Sequence, residues 1–248
     1  MNILALIPAR MGSSRFPGKP MAKILGKPMI GHVYENVSKS PLLSLVAVAT
    51  CDKNIYDYIY SIGGIAVMTS DSHERASDRC AEALLKLEEI NGVKYDIVVM
   101  VQGDEPMTNA EMINEAISPM ISNGEVKVVN LLGSIKDKDE FEDRNCIKVV
   151  CDLAGNAIYF SRQPIPTSSA EQFSGASKQV CVIPFRRNDL LYYTKLKPTP
   201  LEIAESIDMM RLLEHGIKVK MIPTQYQSQS VDTIEDLLKI EKIMKKIV

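Results

Sequence analysis

The sequence predicts an α/β protein with a mostly parallel sheet and a smaller, strand-rich portion in its second half. Up to about Gly124, short and nearly continuous apolar runs alternate with helix-period patterns, as expected for strands that are covered on both faces. Beyond that point strand-like runs follow one another with fewer helices between them. The chain has 248 residues, of which 46% are hydrophobic, so it can bury an ordinary globular core.

The first half reads as a repeated strand and helix unit. Strands are predicted at 2–7, 44–49, 65–68 and 96–101. Helices are predicted after Pro28, before Gly63, from Ser77, and after Thr108, which forms a capping-box pattern with Glu111. Such a βα repeat implies a parallel sheet with right-handed crossovers.

The second half contains further strands and two more helices. Strands are predicted at 126–132, 147–151, 156–160, 180–185 and 217–222, with a hairpin turn at 152–156. A long helix is predicted from Pro200 to Gly216, and a final helix begins at Thr233. The segment 163–178 is rich in Pro, Ser and Gly, which predicts a loop. We expect one domain, 1–248, with a first half, 1–124, and a second half, 125–248, that ends in the C-terminal helix.

Composition excludes several classes of function. The formal net charge of −2 gives no reason to expect a nucleic-acid or membrane partner. Five cysteines without a CxxC spacing and only three histidines argue against a disulfide framework and a zinc cluster. No apolar run reaches the roughly 20 residues of a membrane span, so the expected compartment is the cytoplasm.

The stretch IPARMGSSRFPGKP at 7–20 is the first candidate site. It combines small flexible residues with cations, namely Gly12, Ser13, Ser14 and Gly18 with Arg10, Arg15 and Lys19. A loop of this kind after a first strand turns backbone N–H groups toward an anion. The spacing is neither GxxxxGK[ST] nor GxGxxG. The loop therefore predicts a phosphate site of a different type, and the alternative is a solvated basic turn.

Two further segments place acids after strands. In VQGDEP at 101–106, Asp104 and Glu105 follow the most apolar strand, and in VDT at 231–233 Asp232 precedes the last helix. Mg²⁺ prefers one or two carboxylates together with substrate phosphates. We therefore expect one acid of the first segment, together with Asp232, to hold Mg²⁺. The alternatives are turn and helix-capping roles.

Several motifs together resemble one family. The segments IPARMGSSRFPGKPMAKILGKPMI, VQGDEPM, KVVCDLAGNAIYFSRQPIP, TPLEIAE and VDTIEDL, in this order, resemble the 3-deoxy-manno-octulosonate cytidylyltransferase family over almost the whole chain. The resemblance implies a Rossmann-like fold of the nucleotide-diphospho-sugar transferase type and a cytoplasmic homodimer. It implies that the half 1–124 binds the nucleotide and that the half 125–248 binds the sugar acid. It also implies an Mg²⁺-dependent transfer from CTP to a small acidic keto-deoxy sugar for surface polysaccharide synthesis.

The resemblance also implies roles for individual residues. Arg10, Lys19 and Asp104 would be catalytic, and Asp104 and Asp232 would bind Mg²⁺. Residues implied to bind the nucleotide are Ala9, Arg10, Gly12, Ser13, Lys19, Arg75, Ser77, Arg79 and Asp104. Residues implied to face the sugar acid are Gln102, Arg162, Gln179 and Glu202. Arg162 suits a carboxylate because a guanidinium pairs with it bidentately; the alternatives are a surface arginine and, for Glu202, a solvated helix face.

The chain departs from the family pattern in two places. HERASDR at 73–79 replaces a stretch like SGT[DE]R, and QVCVIPFR at 179–186 replaces one like HxGxYGYR. The loss of a His and a Tyr predicts a changed acidic acceptor, because unpaired buried polar groups are costly. The open alternatives are a nonulosonic or non-sugar acid as acceptor, another nucleotide, and a non-catalytic binding domain.

Overall fold

The protein is described by a computed structural model that covers residues 1–12, 15–167 and 176–246. It divides into two compact units, one made of Met1–Asn114 with Ser228–Val248 and the other of Glu115–Gln227. The C-terminal segment therefore belongs to the first unit, whereas the division expected from the sequence assigns it to the half 125–248. Most of the predicted loop at 163–178, namely 168–175, lies outside the described residues.

The elements alternate as an α/β protein requires, and the predicted fold class is confirmed. The strands are β1 Ile3–Ala9, β2 Lys23–Ile24, β3 Lys27–Pro28, β4 Leu45–Thr50, β5 Ala66–Met68, β6 Ile97–Val101, β7 Val128–Ser134, β8 Lys148–Cys151, β9 Ala157–Ser161, β10 Ser177–Val180, β11 Val182–Arg186 and β12 Val219–Pro223. The helices are α1 Met29–Val37, α2 Lys53–Ser61, α3 Ala76–Asn91, α4 Ala110–Ser122, α5 Lys138–Glu142, α6 Arg187–Tyr193, α7 Pro200–Glu205, α8 Met209–Glu214 and α9 Ile234–Met244.

The first unit contains four parallel strands in the order β5-β4-β1-β6. Every residue of β1 and β6 is buried, which explains why these strands read as continuous apolar runs. The chain runs from β1 outward through β4 to β5 and then returns to place β6 on the other side of β1. The strand order reverses between β1 and β6, and ligands of open α/β sheets bind at the carboxyl ends of the strands at such a point.

The last segment of the chain packs onto this first unit. Val231 and Ile240 form a buried cluster with Ile24 and Met29. The backbone N–H of Val231 donates to the carbonyl of Asp104 over 2.9 Å. The predicted start of α9 is confirmed, because Thr233 and Asp236 form a capping box. Packing and capping together fix Asp232 beside the end of β6.

The second unit is built around β7. This strand pairs with β10 and β11 in antiparallel fashion and with β12 in parallel fashion. Strand β8 pairs with β10 and with β9, and β9 follows it through a turn in which Gly155 has φ 73°. The predicted hairpin at 152–156 is therefore confirmed. The predicted strand at 180–185 is instead divided between β10 and β11 at Cys181.

Two helix predictions need correction. The long helix expected from Pro200 is broken into α7 and α8 by Ser206, whose φ of 54° is left-handed. Helix α4 begins at Ala110, and the N–H of Met112 donates to Asn109 Oδ1 over 2.9 Å. Asn109 is therefore the cap. The hydroxyl of Thr108 is buried without a hydrogen-bond partner in the described part of the chain.

Among the helices of the described residues, none combines the length and the apolar character needed to cross a membrane.

Candidate active site

Hydrogen bonds fix the two ends of the loop after β1 and so place Lys19 at its exit. The N–H of Met11 donates to Asp52 Oδ2 over 2.8 Å, which ties the loop to the end of β4. The N–H of Gly18 donates to the carbonyl of Met11 over 3.0 Å, and Gly18 has φ 75°. A side chain at Gly18 would be strained in that conformation. The turn then leads directly into a short 3₁₀ segment that starts at Lys19.

The end of β6 lies close against the end of β1. A Cβ atom on Gly103 would stand 2.9 Å from the carbonyl oxygen of Pro8, a separation that side chains do not adopt. Glycine at this position lets the segment after β6 approach β1, and Asp104 follows immediately. Glu105 is buried and accepts a hydrogen bond from the Ser228 hydroxyl. Asp104 is therefore the acid of this pair that faces the crevice.

Lys19 brings the two predicted metal-binding acids together. Its ammonium lies 2.6 Å from Asp104 Oδ2 and 3.3 Å from Asp232 Oδ1. Arg15 adds a second cation at 3.0 Å from Asp232 Oδ1. The side chains of Lys19, Asp104 and Asp232 are 12%, 27% and 14% exposed. The three groups are therefore partly shielded from water, which strengthens their mutual electrostatic interaction.

The donor set at this point fits Mg²⁺. Two carboxylates from distant parts of the chain converge on one cation, and Mg²⁺ takes one or two carboxylates plus phosphate oxygens and water. A site built from three or more His, Cys, Asp or Glu side chains was not found among the described residues. Two carboxylates are enough for such an ion, because phosphate oxygens and water complete its coordination.

A cavity of about 330 Å³ opens beside these groups. Its lining includes residues from the loop after β1, the start of α3 and the segment after β6: Pro8, Ala9, Arg10, Gly12, Arg15, Lys19, Pro20, His73, Glu74, Arg75, Ala76, Arg79, Gln102, Gly103 and Asp104. The structure thus brings most of the predicted nucleotide-binding residues to one cavity, together with Gln102. Ser13 lies outside the described residues.

Ser77 is the exception among the described nucleotide candidates. It is completely buried in α3, and its hydroxyl has no hydrogen-bond partner within the described ranges. It does not line the cavity. The geometry therefore does not support a direct nucleotide contact by Ser77.

Arg79 fixes the segment that enters α3. Its guanidinium donates to the Thr69 hydroxyl at 2.5 Å, to the Ser70 carbonyl at 3.1 Å and to the His73 carbonyl at 3.3 Å. The residue is only 3% exposed. Arg79 therefore shapes the cavity wall mainly by holding the segment 69–73.

Glu82, one turn further along α3, binds hydrogen-bond donors of the same segment, whereas Arg79 binds its acceptors. It accepts hydrogen bonds from the Ser70 N–H at 2.9 Å and from His73 Nε2 at 2.5 Å, and it pairs with Lys86 at 2.7 Å. Burial alone would raise the pKa of Glu82, but these hydrogen bonds outweigh it and lower the pKa to about 2. Glu82 is therefore ionised at neutral pH, and His73 is held in place by a carboxylate.

Within the described ranges, Arg162 and Gln179, both in the second unit, use only part of their hydrogen-bonding capacity. The Arg162 guanidinium donates to the carbonyls of Arg144, Glu205 and Ser206, which uses three of its five N–H groups. Gln179 donates through Nε2 to Asn130 Oδ1 over 2.6 Å. Their contacts with a sugar acid stay predictions.

The prediction that Glu202 contacts the sugar acid needs correction. Glu202 is completely buried, and its two oxygens accept from Arg211 Nε at 2.7 Å and Arg211 Nη2 at 2.6 Å. It also forms the capping box of α7 with Thr199. A carboxylate that is enclosed and paired in this way holds α7 against α8 and does not reach a substrate.

Sequence reasoning missed two residues that organise the site. Asp52 follows β4 and anchors Met11, although its position after a strand was the same signal that identified Asp104. Glu82 lies three residues after Arg79, and residues at that spacing share a helix face. The three-residue spacing between Arg79 and Glu82 is therefore the sequence signal that could have identified Glu82.

Comparisons with known proteins identify the family to which this chain is similar. A family model described as cytidylyltransferase matches residues 4–222. A 3-deoxy-manno-octulosonate cytidylyltransferase from Trichlorobacter lovleyi is 42% identical, with 99% of this chain and 100% of that protein covered. The protein of the same name from Fusobacterium nucleatum is 38% identical, with 99% and 98% covered.

Solved structures give the same result. A structure described as CMP:2-keto-3-deoxy-manno-octonic acid synthetase complexed with CTP matches with a TM-score of 0.91 at 34% identity, covering 100% of both chains. A 4-diphosphocytidyl-2C-methyl-D-erythritol synthase from Anaerococcus prevotii matches with a TM-score of 0.64 at 17% identity, covering 98% of this chain and 96% of that one. The second likeness concerns the fold alone.

Proposed function

The chain belongs to the 3-deoxy-manno-octulosonate cytidylyltransferase family, and we propose that its crevice between β1 and β6 is where CTP and Mg²⁺ meet. The enzyme is a nucleotidyltransferase that couples CTP to 3-deoxy-manno-octulosonate, a reaction of lipopolysaccharide synthesis. One observation carries the proposed site: the ammonium of Lys19 contacts both Asp104 and Asp232 at the switch point of the sheet.

The cations of the loop after β1 receive the triphosphate. Arg10, Arg15 and Lys19 all line the cavity, and together they oppose the charge of the phosphates. During the reaction a hydroxyl of the acceptor attacks the α-phosphorus while pyrophosphate leaves, so negative charge moves onto the leaving group. Fixed cations that already point at this charge stabilise the transition state without reorganising.

Asp104 and Asp232 would hold Mg²⁺ in the proposed site. The ion, when bound, polarises phosphate oxygens and lowers the pKa of a coordinated hydroxyl. The two carboxylates orient the ammonium of Lys19, which lies within 2.6 Å of one and 3.3 Å of the other. The reaction needs no covalent nucleophile, because the chain acts by positioning the two substrates and neutralising charge.

Arg162 is the proposed partner of the acceptor's carboxylate. Three N–H groups of its guanidinium bind carbonyls and two have no partner among the residues that the structure describes, and a guanidinium pairs well with a carboxylate. Gln102 lines the cavity next to Asp104 and offers an amide to the hydroxyl groups of the sugar. Gln179 is the third proposed contact.

The departures at 179–186 do not displace 3-deoxy-manno-octulosonate as the assigned acceptor. Ile183 and Pro184 are both buried in β11, so they act as packing residues of this strand. The relatives that share about 40% of their residues with this chain over its full length are named for 3-deoxy-manno-octulosonate. Another acidic acceptor is an outcome that the following assay detects.

Pyrophosphate release across nucleotides and acids tests the proposed function. Purified enzyme with Mg²⁺ is given each of four nucleoside triphosphates together with 3-deoxy-manno-octulosonate, a nonulosonic acid or a non-sugar keto acid. We expect release with CTP and 3-deoxy-manno-octulosonate, and its loss when EDTA removes the metal. If pyrophosphate is released only with a nucleotide other than CTP, the assignment of CTP is wrong. If it is released only with an acid other than 3-deoxy-manno-octulosonate, the assignment of the acceptor is wrong.

The proposed assembly is a homodimer in the cytoplasm. Large apolar side chains are exposed on the second unit, with Ile158 on β9 59% exposed and Ile203 on α7 65% exposed. Glu205 ties these elements together through the hydroxyls of Tyr159 and Ser161. Among the described residues none of the five cysteines forms a disulfide, which is compatible with a reducing compartment.

Charge placed on these two exposed apolar side chains separates the dimer. We expect the double substitution Ile158→Glu with Ile203→Glu to give a monomeric mass in light scattering, because burying carboxylates without partners is costly. Ile90→Glu is the matched control, since Ile90 is 74% exposed on α3 of the first unit, and it should stay dimeric. A wild-type enzyme with monomeric mass would contradict the proposed assembly.

A further inference from the structure

Lys148 is a buried lysine that has no carboxylate partner among the described residues. It lies in β8 and is completely shielded from solvent. Its ammonium donates to the carbonyls of Cys146 at 2.6 Å, Asp143 at 2.7 Å and Arg162 at 3.0 Å. In the part of the chain that the structure covers, no acid lies within ion-pair distance of it. All three N–H groups of the ammonium are therefore used, and each of them binds the main chain.

This arrangement is costly, so it calls for an explanation. Burial lowers the pKa of Lys148 from its usual value, because the charged form is disfavoured away from water. An apolar side chain would avoid that cost at a position that only needs packing. The ammonium instead satisfies two inward-facing carbonyls of the segment 143–146, which joins α5 to β8, and so holds the turn in one conformation.

The same segment orients the guanidinium of Arg162. Arg162 Nη1 donates to the carbonyl of Arg144 over 2.9 Å, and Arg144 lies between the two residues of the segment that Lys148 holds. Lys148 also binds the carbonyl of Arg162 itself. The ammonium thus touches both the main chain of Arg162 and the turn against which its side chain rests.

On its other side, Arg162 rests against the end of α7. Its Nε donates to the carbonyl of Glu205 at 2.8 Å and its Nη2 to the carbonyl of Ser206 at 3.2 Å. Its backbone N–H donates to the Glu205 carboxylate at 2.9 Å. Two walls therefore set the direction of the guanidinium, and Lys148 supports the wall formed by 143–146.

We propose that Lys148 is a positioning residue for acceptor binding, which acts by holding the 143–146 turn and the main chain of Arg162 so that the guanidinium meets the acceptor's carboxylate. This inference rests on the role of Arg162 under the proposed function. It assigns Lys148 no contact with either substrate.

Steady-state kinetics of Lys148→Met test this inference. Methionine keeps an unbranched apolar side chain close to the length of the lysine stem and removes the three donors. We expect KM for 3-deoxy-manno-octulosonate to rise at least about 10-fold, because small displacements of a binding group weaken binding sharply, while KM for CTP changes less than about 2-fold. A purely structural defect would lower the fraction of active enzyme and leave both KM values alone.

Lys220→Met is the matched control. Lys220 also donates to a main-chain carbonyl, that of Ala154 at the turn between β8 and β9, so the same substitution removes the same kind of bond at the far end of the hairpin. We expect both KM values to stay at the wild-type level. Should Lys148→Met fail to fold, Lys148→Gln keeps one amide donor group and should show a smaller rise in the same KM.

Arg162→Gln separates the inference from its premise. If Arg162→Gln raises the acceptor KM and the Lys148 variants do not, the inference about Lys148 is wrong. If Arg162→Gln leaves the acceptor KM unchanged, the proposed role of Arg162 fails, and the inference about Lys148 fails with it. A rise of both KM values by the same factor in Lys148→Met would also contradict a role confined to acceptor binding.

Discussion

We expect Asp104→Asn to lower kcat for pyrophosphate release by roughly 10²–10³-fold, the size of the loss caused by removing one key electrostatic group from an active site. Asparagine has nearly the same shape as aspartate but carries no charge. Of the two acids that pair with Lys19, only Asp232 would remain charged. The proposed metal site would lose one of its two carboxylates. The measurement is kcat and KM for CTP at saturating Mg²⁺ and acceptor.

The matched control for this substitution is Asp57→Asn. Asp57 also pairs with a lysine, Lys53 at 2.8 Å, but on an exposed face of α2. The same chemical change there should leave kcat unaltered. Unchanged pyrophosphate release by Asp104→Asn, with CTP still bound, would remove Asp104 from the metal site.

The second large effect concerns stability. We expect Arg211→Met to lower the free energy of unfolding by about 3–5 kcal/mol, because it leaves the buried Glu202 carboxylate without its partner. Arg211 donates to both Glu202 oxygens and to the carbonyl of Leu196, and it lies over the ring of Tyr193 at 4.7 Å. The hydrogen bonds to Glu202 are also the main reason that the pKa of Arg211 is raised.

Urea denaturation of single and double variants checks this expectation. The double variant Glu202→Leu with Arg211→Met should be less destabilised than Arg211→Met alone, since it leaves no uncompensated charge. Lys53→Met, which breaks an exposed pair, should change the free energy of unfolding by at most about 1 kcal/mol. A loss below that size for Arg211→Met would mean that Glu202 finds water or another donor.

The strands of the first unit could be predicted because their burial on both faces leaves a direct trace in the sequence. The apolar runs that became β1 and β6 needed no tertiary information. Asp104 could be predicted for the same reason, because parallel strands deliver the residues that follow them to one edge of the sheet. Asp232 follows no strand among the described residues and is instead positioned by Val231, which binds the Asp104 carbonyl, and by the capped start of α9. Lys19, Asp104 and Asp232 do converge as the residue pattern suggested.

The predictions that were wrong, for the helix after Pro200 and for Glu202, concern features that tertiary contacts determine. The apolar stripe after Pro200 predicts one helix, but Ser206 takes a left-handed conformation in which its carbonyl binds Arg162. Glu202 looked like a solvated or substrate-facing acid because its partner Arg211 lies in the following helix. Sequence spacing alone does not reveal such a pair when the intervening turn is unknown.

The contacts of Lys148 in the second unit could not be predicted from the sequence either. Lys148 reads as one polar residue in a strand, and nothing around it in the sequence indicates burial. Its three acceptors are main-chain carbonyls, which every residue possesses and which no side-chain pattern announces. The role proposed for it became visible only when the hydrogen bonds of the turn were known.

Anomalous diffraction from crystals grown with CTP and Mn²⁺, a substitute for Mg²⁺, tests the central claim most directly. We expect one strong peak within about 2.2 Å of carboxylate oxygens of Asp104 and Asp232, beside the phosphates of the nucleotide and close to Lys19. A metal peak on other protein ligands, with the nucleotide bound away from the loop after β1, would contradict the account.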